Sequence, residues 1–190
     1  MNEPNMKTVG IIGGAGFIGS HITKRFLAEN FNVKVSSTDV SNKDKYGHLL
    51  DLENAENLEI FPLDLRKIEP VKSFAEGCNI VVHTGTPIQL EVQDLQTELF
   101  EPTVQGTENL LKLLKKIAGL EKVIFVASVA AWNTSFPMLP AGYESDHIFS
   151  ENDAPFFSEN DMPYAQAKYL ADQASPRHLR PKSVPHLGQS

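Results

Sequence analysis

Residues 8–19 read TVGIIGGAGFIG, a short β-rich run that passes directly into a stretch of glycines. Beyond the glycines, Ile18, Ile22 and Phe26 recur at the spacing of one helical face. The stretch therefore predicts a strand, a glycine-rich turn and a helix in immediate succession.

The glycine-rich turn carries Gly13, Gly16 and Gly19 three residues apart. In nucleotide-binding turns the first glycine allows a tight turn, the second lets the backbone approach a pyrophosphate, and the third lets the helix pack on the strand. The phosphates then lie at the positive end of the helix dipole. A turn without a ligand is the alternative, but its position between a strand and a helix favours nucleotide binding.

The rest of the chain continues the alternation of strands and helices. Apolar, β-rich runs predict four further strands at residues 33–38, 58–61, 79–83 and 122–127. Residues 42–57 are partly helical, and Val104, Leu111, Leu114 and Ile117 mark a long helix before the fifth strand. Such alternation predicts an α/β fold with a parallel sheet, whose continuously apolar strands are buried on both faces.

Composition limits the classes of function. A chain of 190 residues is enough for one domain, and its net charge of −7 argues against nucleic-acid and anionic-membrane partners. The single Cys78 excludes an internal disulfide and a thiolate metal cage, as is typical of the reducing cytoplasm. The six histidines lack metal-ligand spacing, and no apolar run is long enough to span a bilayer. We expect a soluble, cytoplasmic protein without a metal.

Two carboxylates follow predicted strands and are candidates for nucleotide contacts. Asp39, at the end of the second strand, stands about where an acidic residue bonds the ribose hydroxyls, although a simple turn aspartate is the alternative. Asp64, after the third strand, is a candidate for the adenine side, and its alternative is a helix N-cap.

Three residues suit proton transfer to a carbonyl group. Tyr164 and Lys168 are four apart in a predicted helix, so both project from one face, and an ammonium beside a phenol lowers the pKa of the phenol. Ser128 ends the fifth strand at the carboxyl edge of the sheet, where its hydroxyl could bond a substrate carbonyl. A solvated helix face and a serine bonded to its own backbone are the alternatives.

Residues 141–163 hold six acidic residues and neither Lys nor Arg. Within them FSENDAPF at residues 149–156 is followed directly by FSENDMPY at residues 157–164. Eight residues are too few for a stacking repeat, so this near-duplicate predicts a duplicated loop or helix-start segment.

Together these residues resemble the extended branch of the short-chain dehydrogenase/reductase superfamily, also called the NAD-dependent epimerase/dehydratase superfamily. Within it the chain is most similar to dihydroflavonol reductases, cinnamoyl-CoA reductases and related carbonyl reductases. HLLDL at residues 48–52, VHTGTP at residues 82–87 and EPTVQGT at residues 101–107 carry this likeness, which covers about residues 6 to 174.

The resemblance implies a Rossmann-type doubly wound parallel sheet in a domain of residues 1–175, an irregular tail at 176–190, and a C-terminal substrate-binding part that is largely missing. It implies an NAD(P)H-dependent oxidoreductase in which Tyr164 protonates an aldehyde or ketone, Lys168 holds the ribose and Ser128 orients the carbonyl. The cofactor contacts that it implies are Gly13, Gly16, Phe17, Ile18, Gly19, Asp39, Asp64, Leu65, Thr84, Gly85, Thr86, Tyr164 and Lys168.

Cofactor choice between NAD and NADP stays open, with NADPH slightly favoured by the resemblance. These reductases usually place an Arg where this chain has Thr38, and the Asp39 carboxylate alone favours a free 2′-hydroxyl. Lys43 and Lys45 nevertheless lie close enough in sequence to bind a 2′-phosphate. Thr103 stands where many extended members have Asn, so no relay role is assigned to it.

Two other functions remain open, namely a non-catalytic NAD(P)-binding module and a nucleotide-sugar epimerase or dehydratase. The HTGTP and EPTVQGT stretches count against the latter. The expected partner is a small-molecule carbonyl substrate. Because Pro176 cuts the Tyr/Lys helix short, we expect a monomer or a weak homodimer.

Overall fold

The sheet has five parallel strands in a computed structural model that describes residues 6–85, 93–140, 142–150 and 153–174. The strands are β1 (Thr8–Ile12), β2 (Asn32–Ser37), β3 (Leu58–Pro62), β4 (Ile80–His83) and β5 (Lys122–Phe125). Their spatial order is β3-β2-β1-β4-β5, with every neighbouring pair parallel. The order changes direction at β1, so the predicted doubly wound sheet is confirmed, and ligands of such sheets bind at this change.

Helices connect these strands in the crossover pattern that parallel neighbours require. The α-helices are α1 (Phe17–Ala28), α2 (Gly47–Leu50), α3 (Ile68–Ala75), α4 (Gly106–Leu114) and α5 (Pro163–Ala174). A π-helical segment, Gln96–Gln105, runs directly into α4, and short 3₁₀ turns lie at Lys43–Lys45, Ala55–Asn57 and Val129–Ala131. Within the described residues, none of the helices has the length and apolar character needed to cross a bilayer.

Apolar side chains on both faces of the sheet form two cores. On one face Leu27 of α1 and Leu49 of α2 pack with Val9, Ile11 and other strand residues. On the other face Phe74 of α3 and Leu110 of α4 pack against the opposite side of the strands. Because successive strand residues point to opposite faces, β1 and β4 contribute to both cores, whereas β2 contributes Val33 and Val35 to the first core alone.

The buried face of α1 differs from the predicted one by one position. Gly19, Thr23 and Leu27 are its buried residues, whereas Ile18 is 53% exposed. A β-carbon on Gly19 would lie 2.0 Å from the Gly13 carbonyl oxygen, so α1 approaches the glycine-rich turn through this residue. Ile22 and Phe26 of the predicted face still pack partly against the core, whereas Ile18 faces solvent.

Strand β5 corrects the prediction that all core strands are buried on both faces. It ends at Phe125, two residues earlier than predicted, and Lys122 and Ile124 are exposed. Among the described residues β5 pairs with β4 alone, so it forms an edge of the sheet. The tail at residues 176–190 lies outside the described residues, and the domain boundary stays a prediction.

Candidate functional site

A cleft of about 710 Å³ opens at the carboxyl ends of the first three strands, beside the point where strand order changes direction. Five segments form its walls: the glycine-rich turn with the end of β1, the end of β2 with the turn that follows it, the loop after β3, the end of β4, and the π-helical segment. The residues that line it are Ile12, Gly13, Ala15, Gly16, Ser36, Ser37, Thr38, Lys45, Leu63, Asp64, Leu65, Arg66, Gly85, Thr97, Glu98 and Pro102.

The glycine-rich turn is packed too closely for a side chain at Gly13, as it is at Gly19. Gly13 has φ of +77°, and a β-carbon there would lie 2.5 Å from the Gly85 α-carbon. Its N–H donates to Ser36 Oγ at 3.0 Å, which fixes the turn against β2. Gly16 is different, because a β-carbon there would meet only the Gly13 carbonyl oxygen, at 3.3 Å. Gly16 therefore leaves room for a ligand rather than for a neighbouring segment.

Helix α1 begins directly after this exposed glycine, which is its N-cap. Gly16 caps the helix with extended backbone, offers no side-chain cap, and is followed by a first turn without an acidic residue. The first N–H groups of a helix have no intrahelical acceptor, and its dipole favours negative charge there. Phe17, 87% exposed, flanks this end with Ile18. The arrangement suits a bound phosphate group.

At the end of β2 the cleft presents hydroxyls and a cation. Residues 36–38 line it, and Lys45 Nζ donates to Thr38 Oγ1 at 3.3 Å. Asp39 is exposed and is not among the lining residues, since its carboxylate accepts from Ser41 Oγ at 2.6 Å and Ser41 N–H at 3.0 Å. These hydrogen bonds lower the pKa of Asp39. The carboxylate thus closes a local turn, and its predicted ribose contact stays a prediction.

After β3, Asp64 holds a bidentate ion pair with Arg66. Arg66 Nε donates to Oδ1 and Nη2 to Oδ2, each at 2.9 Å, and these bonds lower the pKa of Asp64. Helix α3 has Lys67 at its N-cap, so Asp64 does not cap it. Both residues of the pair line the cleft beside Leu65, where they could contact a base.

The end of β4 joins the floor of the cleft to β1. Thr84 donates to the Ile12 carbonyl oxygen through both its N–H and its hydroxyl, each at 2.9 Å. Its hydroxyl is therefore committed to the sheet, whereas the following Gly85 lines the cleft. Thr86, also predicted as a cofactor contact, lies outside the described residues.

Of the three residues predicted for proton transfer, Ser128 and Lys168 lie near the carboxyl end of β5, and Tyr164 lies one turn before Lys168 without lining the cavity that they share. Lys168 Nζ lies 5.7 Å from the Tyr164 ring centroid on α5, and burial lowers the pKa of Lys168. Ser128 caps the Val129–Ala131 turn, its Oγ accepting from Ala130 N–H at 3.2 Å. Ser128, Lys168 and His83 line one cavity of about 50 Å³.

Titration of the buried His83 predicts an acid-dependent loss of stability. Burial, with a smaller effect of the nearby Lys168 charge, lowers its pKa from 6.5 to about 4. Between pH 6.5 and pH 4 the imidazole is protonated in the unfolded chain but stays neutral in the folded chain. The contribution of His83 to the free energy of unfolding is therefore complete above pH 6.5 and is lost as pH falls toward 4. A shift of this size corresponds to about 3 kcal/mol.

We expect urea titrations at pH 7 and pH 4.5 to show a smaller drop in unfolding free energy for His83→Gln than for wild type. The side chain of His21, on the surface of α1, offers the control His21→Gln. Equal drops for wild type and His83→Gln would contradict the assignment.

Comparison with known proteins assigns the chain to a family. The 3-beta hydroxysteroid dehydrogenase/isomerase family matches the chain over residues 10–175. The chain belongs to this family. The match spans the glycine-rich turn, the cleft and α5, and it confirms the resemblance to extended short-chain dehydrogenases/reductases.

Relatives in the family include the reductases that the sequence motifs indicated. The chain is 35% identical over 170 residues to a dihydroflavonol 4-reductase of Dianthus caryophyllus, covering 89% of the chain and 47% of the relative. It is 29% identical over 188 residues to cinnamoyl-CoA reductase CAD2 of Medicago truncatula, covering 97% and 57%. Candida albicans Gre2 in complex with NADPH superposes with a TM-score of 0.72 at 27% identity, covering 94% and 54%.

The chain thus spans about half the length of the relatives it matches. Its described part contains the family's parallel sheet, the cleft and α5.

Sequence reasoning missed several residues of the cleft, including Arg66, Thr97 and Glu98. Arg66 had a signal, since it follows Asp64 by two residues, the spacing of a local ion pair. Thr97 and Glu98 had none, because they reach the cleft through the π-helical segment. Other predicted cofactor contacts are not among the residues that line the cleft and stay predictions, namely Phe17, Ile18, Gly19, Thr84, Tyr164 and Lys168.

Proposed function

We propose that the chain is an NADPH-dependent oxidoreductase that reduces an aldehyde or ketone. The observation that carries the proposal is the 710 Å³ cleft, which combines a helix N-terminus suited to phosphate with hydroxyls and a lysine at the end of β2. The family and its reductase relatives support the same class of reaction.

The lining residues fit an NAD(P) molecule. The exposed Gly16 leaves a cradle that a β-carbon would fill, so the first turn of α1 would hold the pyrophosphate. Asp64 and Leu65 would lie beside the adenine. NADPH, when bound, supplies the hydride for the reaction.

Lys45 is the group that favours NADPH over NADH. It lines the cleft beside Thr38, at the end of β2 where the adenosine ribose of a dinucleotide lies, whereas the Asp39 carboxylate is engaged with Ser41. An ammonium here would pair with a 2′-phosphate.

Replacing Lys45 with glutamine is expected to weaken NADPH binding by about 10- to 100-fold, the cost of one charge-assisted bond. NADH affinity should change by less than about 3-fold, because NADH has no 2′-phosphate. Fluorescence titration of both cofactors measures this. Lys43→Gln is the matched control, since Lys43 is exposed in the same 3₁₀ turn and does not line the cleft. Equal loss for NADPH and NADH, or tighter NADH binding by wild type, would contradict the assignment.

The residues on α5 and after β5 would handle the proton. Tyr164 donates it to the carbonyl oxygen, and the Lys168 ammonium beside the phenol favours the phenolate that remains. Ser128 Oγ already accepts from Ala130 N–H, which leaves its own O–H to donate to the substrate carbonyl.

The small cavity at these residues favours a second candidate, a non-catalytic NAD(P)-binding module. The space shared by Ser128 and Lys168 is about 50 Å³, much less than the cofactor cleft. It would hold a few water molecules or a very small carbonyl compound. Cofactor binding without oxidation of NADPH by any carbonyl compound would favour this candidate.

A further inference from the structure

We propose that Asp161 is a positioning residue that holds the loop after Ser128 against the start of α5, and so sets Tyr164 and Lys168 relative to Ser128. The inference rests on the proposed function, since it concerns the same site. It arises from the duplicated sequence at residues 149–164, whose two copies make different contacts.

The Asp161 carboxylate, just before α5, accepts hydrogen bonds from the loop that follows Ser128. Its Oδ2 accepts from Thr134 Oγ1 at 2.5 Å and from Ser135 Oγ at 2.9 Å, and its Oδ1 lies 3.1 Å from the same serine oxygen. The Thr134 hydroxyl is buried and also accepts from Ser158 N–H at 3.0 Å. Charge-assisted hydrogen bonds of this kind are stronger than neutral ones. They therefore join two segments that are 26 or 27 residues apart in sequence.

From Thr134, which donates to Asp161, hydrogen-bonded turns lead back along the chain to Ser128. Ser128 caps Val129–Ala131, and Asn133 N–H donates to the Val129 carbonyl oxygen at 3.2 Å. Asn133 is buried and also accepts from Ser135 N–H at 3.0 Å. The position of Thr134 is thus connected with that of Ser128 through short hydrogen-bonded steps.

In the other direction, Asp161 is linked to the first turn of α5. Gln166 Nε2 donates to the Asp161 carbonyl oxygen at 2.7 Å, and Gln166 N–H donates to the Met162 carbonyl oxygen at 3.1 Å. Gln166 lies between Tyr164 and Lys168 on the same helix. The Asp161 backbone and carboxylate consequently bind both segments at once.

The first copy of the duplicated sequence supplies an internal comparison. Asp153 and Asp161 occupy the same position in the two copies, and each N–H donates to the carbonyl oxygen of the serine three residues earlier. The Asp153 carboxylate, however, accepts from Ser150 N–H and Oγ of its own turn. His147 Nε2 lies 3.6 Å from it. Asp153 thus closes a local turn, whereas Asp161 joins two segments.

The end of the first copy contacts the same loop through its backbone. Phe156 N–H donates to the Trp132 carbonyl oxygen at 2.9 Å, and Thr134 N–H donates to the Phe156 carbonyl oxygen at 3.2 Å. Phe156 holds the position in the first copy that Tyr164 holds in the second. The loop after Ser128 is therefore bound by both copies, and only the second one also carries the proton donor.

The test compares Asp161→Ala with Asp153→Ala by titrating NADPH and adenosine 2′,5′-bisphosphate, which lacks the nicotinamide half. We expect Asp161→Ala to bind NADPH about 10-fold more weakly. This loss equals the net contribution of about one hydrogen bond between NADPH and the residues of α5. Its affinity for the bisphosphate should be unchanged, because that ligand does not reach Tyr164 or Lys168. Asp153→Ala should match wild type for both ligands.

A second pair of variants separates positioning from folding. Thr134→Val removes the hydroxyl that donates to Asp161, and we expect the same selective loss of NADPH affinity. Thr134→Ser keeps a hydroxyl at this position and should bind NADPH like wild type. Unchanged NADPH affinity in Asp161→Ala, or equal loss of both ligands, would overturn the inference while wild-type binding upholds the proposed function. Wild-type protein that binds neither ligand would overturn the proposed function and this inference with it.

Discussion

Replacing Gly16 with aspartate is expected to abolish NADPH binding while leaving the protein folded. Gly16 is exposed, and a β-carbon there would lie 3.3 Å from the Gly13 carbonyl oxygen, a tight contact that a shift of a few tenths of an ångström relieves. The added carboxylate would occupy the N-terminus of α1, where the pyrophosphate is proposed to bind, and would repel it. Loss of two charge-assisted hydrogen bonds corresponds to an affinity loss of at least about 100-fold.

Gly19→Ala gives the contrasting result. Its β-carbon would lie 2.0 Å from the Gly13 carbonyl oxygen and 2.7 Å from the Gly14 α-carbon, so backbone must move. We expect both a lower melting temperature and weaker binding, because α1 can no longer approach the turn. Gly47→Ala is the control, since its β-carbon meets no atom within 4 Å.

Thermal melting and fluorescence titration of NADPH on the three variants decide the matter. A Gly16→Asp protein that binds NADPH like wild type would place the pyrophosphate elsewhere and overturn the proposed cofactor site. A Gly19→Ala protein as stable as Gly47→Ala would contradict the close packing of α1 on the turn.

The strands were the most predictable part of the fold, because short β-rich apolar runs bounded by glycine and polar residues are typical of buried strands. β1 is predicted at its observed bounds, and β4 to within one residue. Helix α3 was not predicted, although Val71 and Phe74 are fully buried in it. Pro70 and the polar residues around it obscure its short periodic pattern, and packing against Phe61 at 5.6 Å between ring centroids fixes it in place.

Two parts of the candidate site follow from short stretches of the sequence. The glycine-rich turn and the Tyr164–Lys168 pair are local, since helix geometry alone brings residues four apart onto one face. The local turn of Asp39 depends on the hydroxyl of Ser41, and the link at Asp161 depends on Thr134, 27 residues away. Hydrogen bonds between side chains this far apart in sequence depend on tertiary packing, which sequence periodicity does not predict.

Replacing Tyr164 with phenylalanine is expected to lower the rate of carbonyl reduction by about 10²- to 10⁴-fold, the usual contribution of a positioned general acid. The phenol is the proposed proton donor, and Lys168 Nζ lies 5.7 Å from its ring centroid. NADPH affinity should change by no more than a few-fold, because the ring and Lys168 both remain. Oxidation of NADPH with a dihydroflavonol and with a small aldehyde, followed by absorbance, measures the rate.

Tyr169→Phe is the matched control on the same helix. Its ring packs on Phe157 with centroids 4.8 Å apart, so loss of its hydroxyl should leave the rate unchanged. A Tyr164→Phe protein with wild-type turnover would remove the phenol from the mechanism. Wild-type protein that binds NADPH but reduces neither carbonyl compound would instead favour the NADPH-binding module, since the cleft would then work without the small cavity at Ser128 and Lys168.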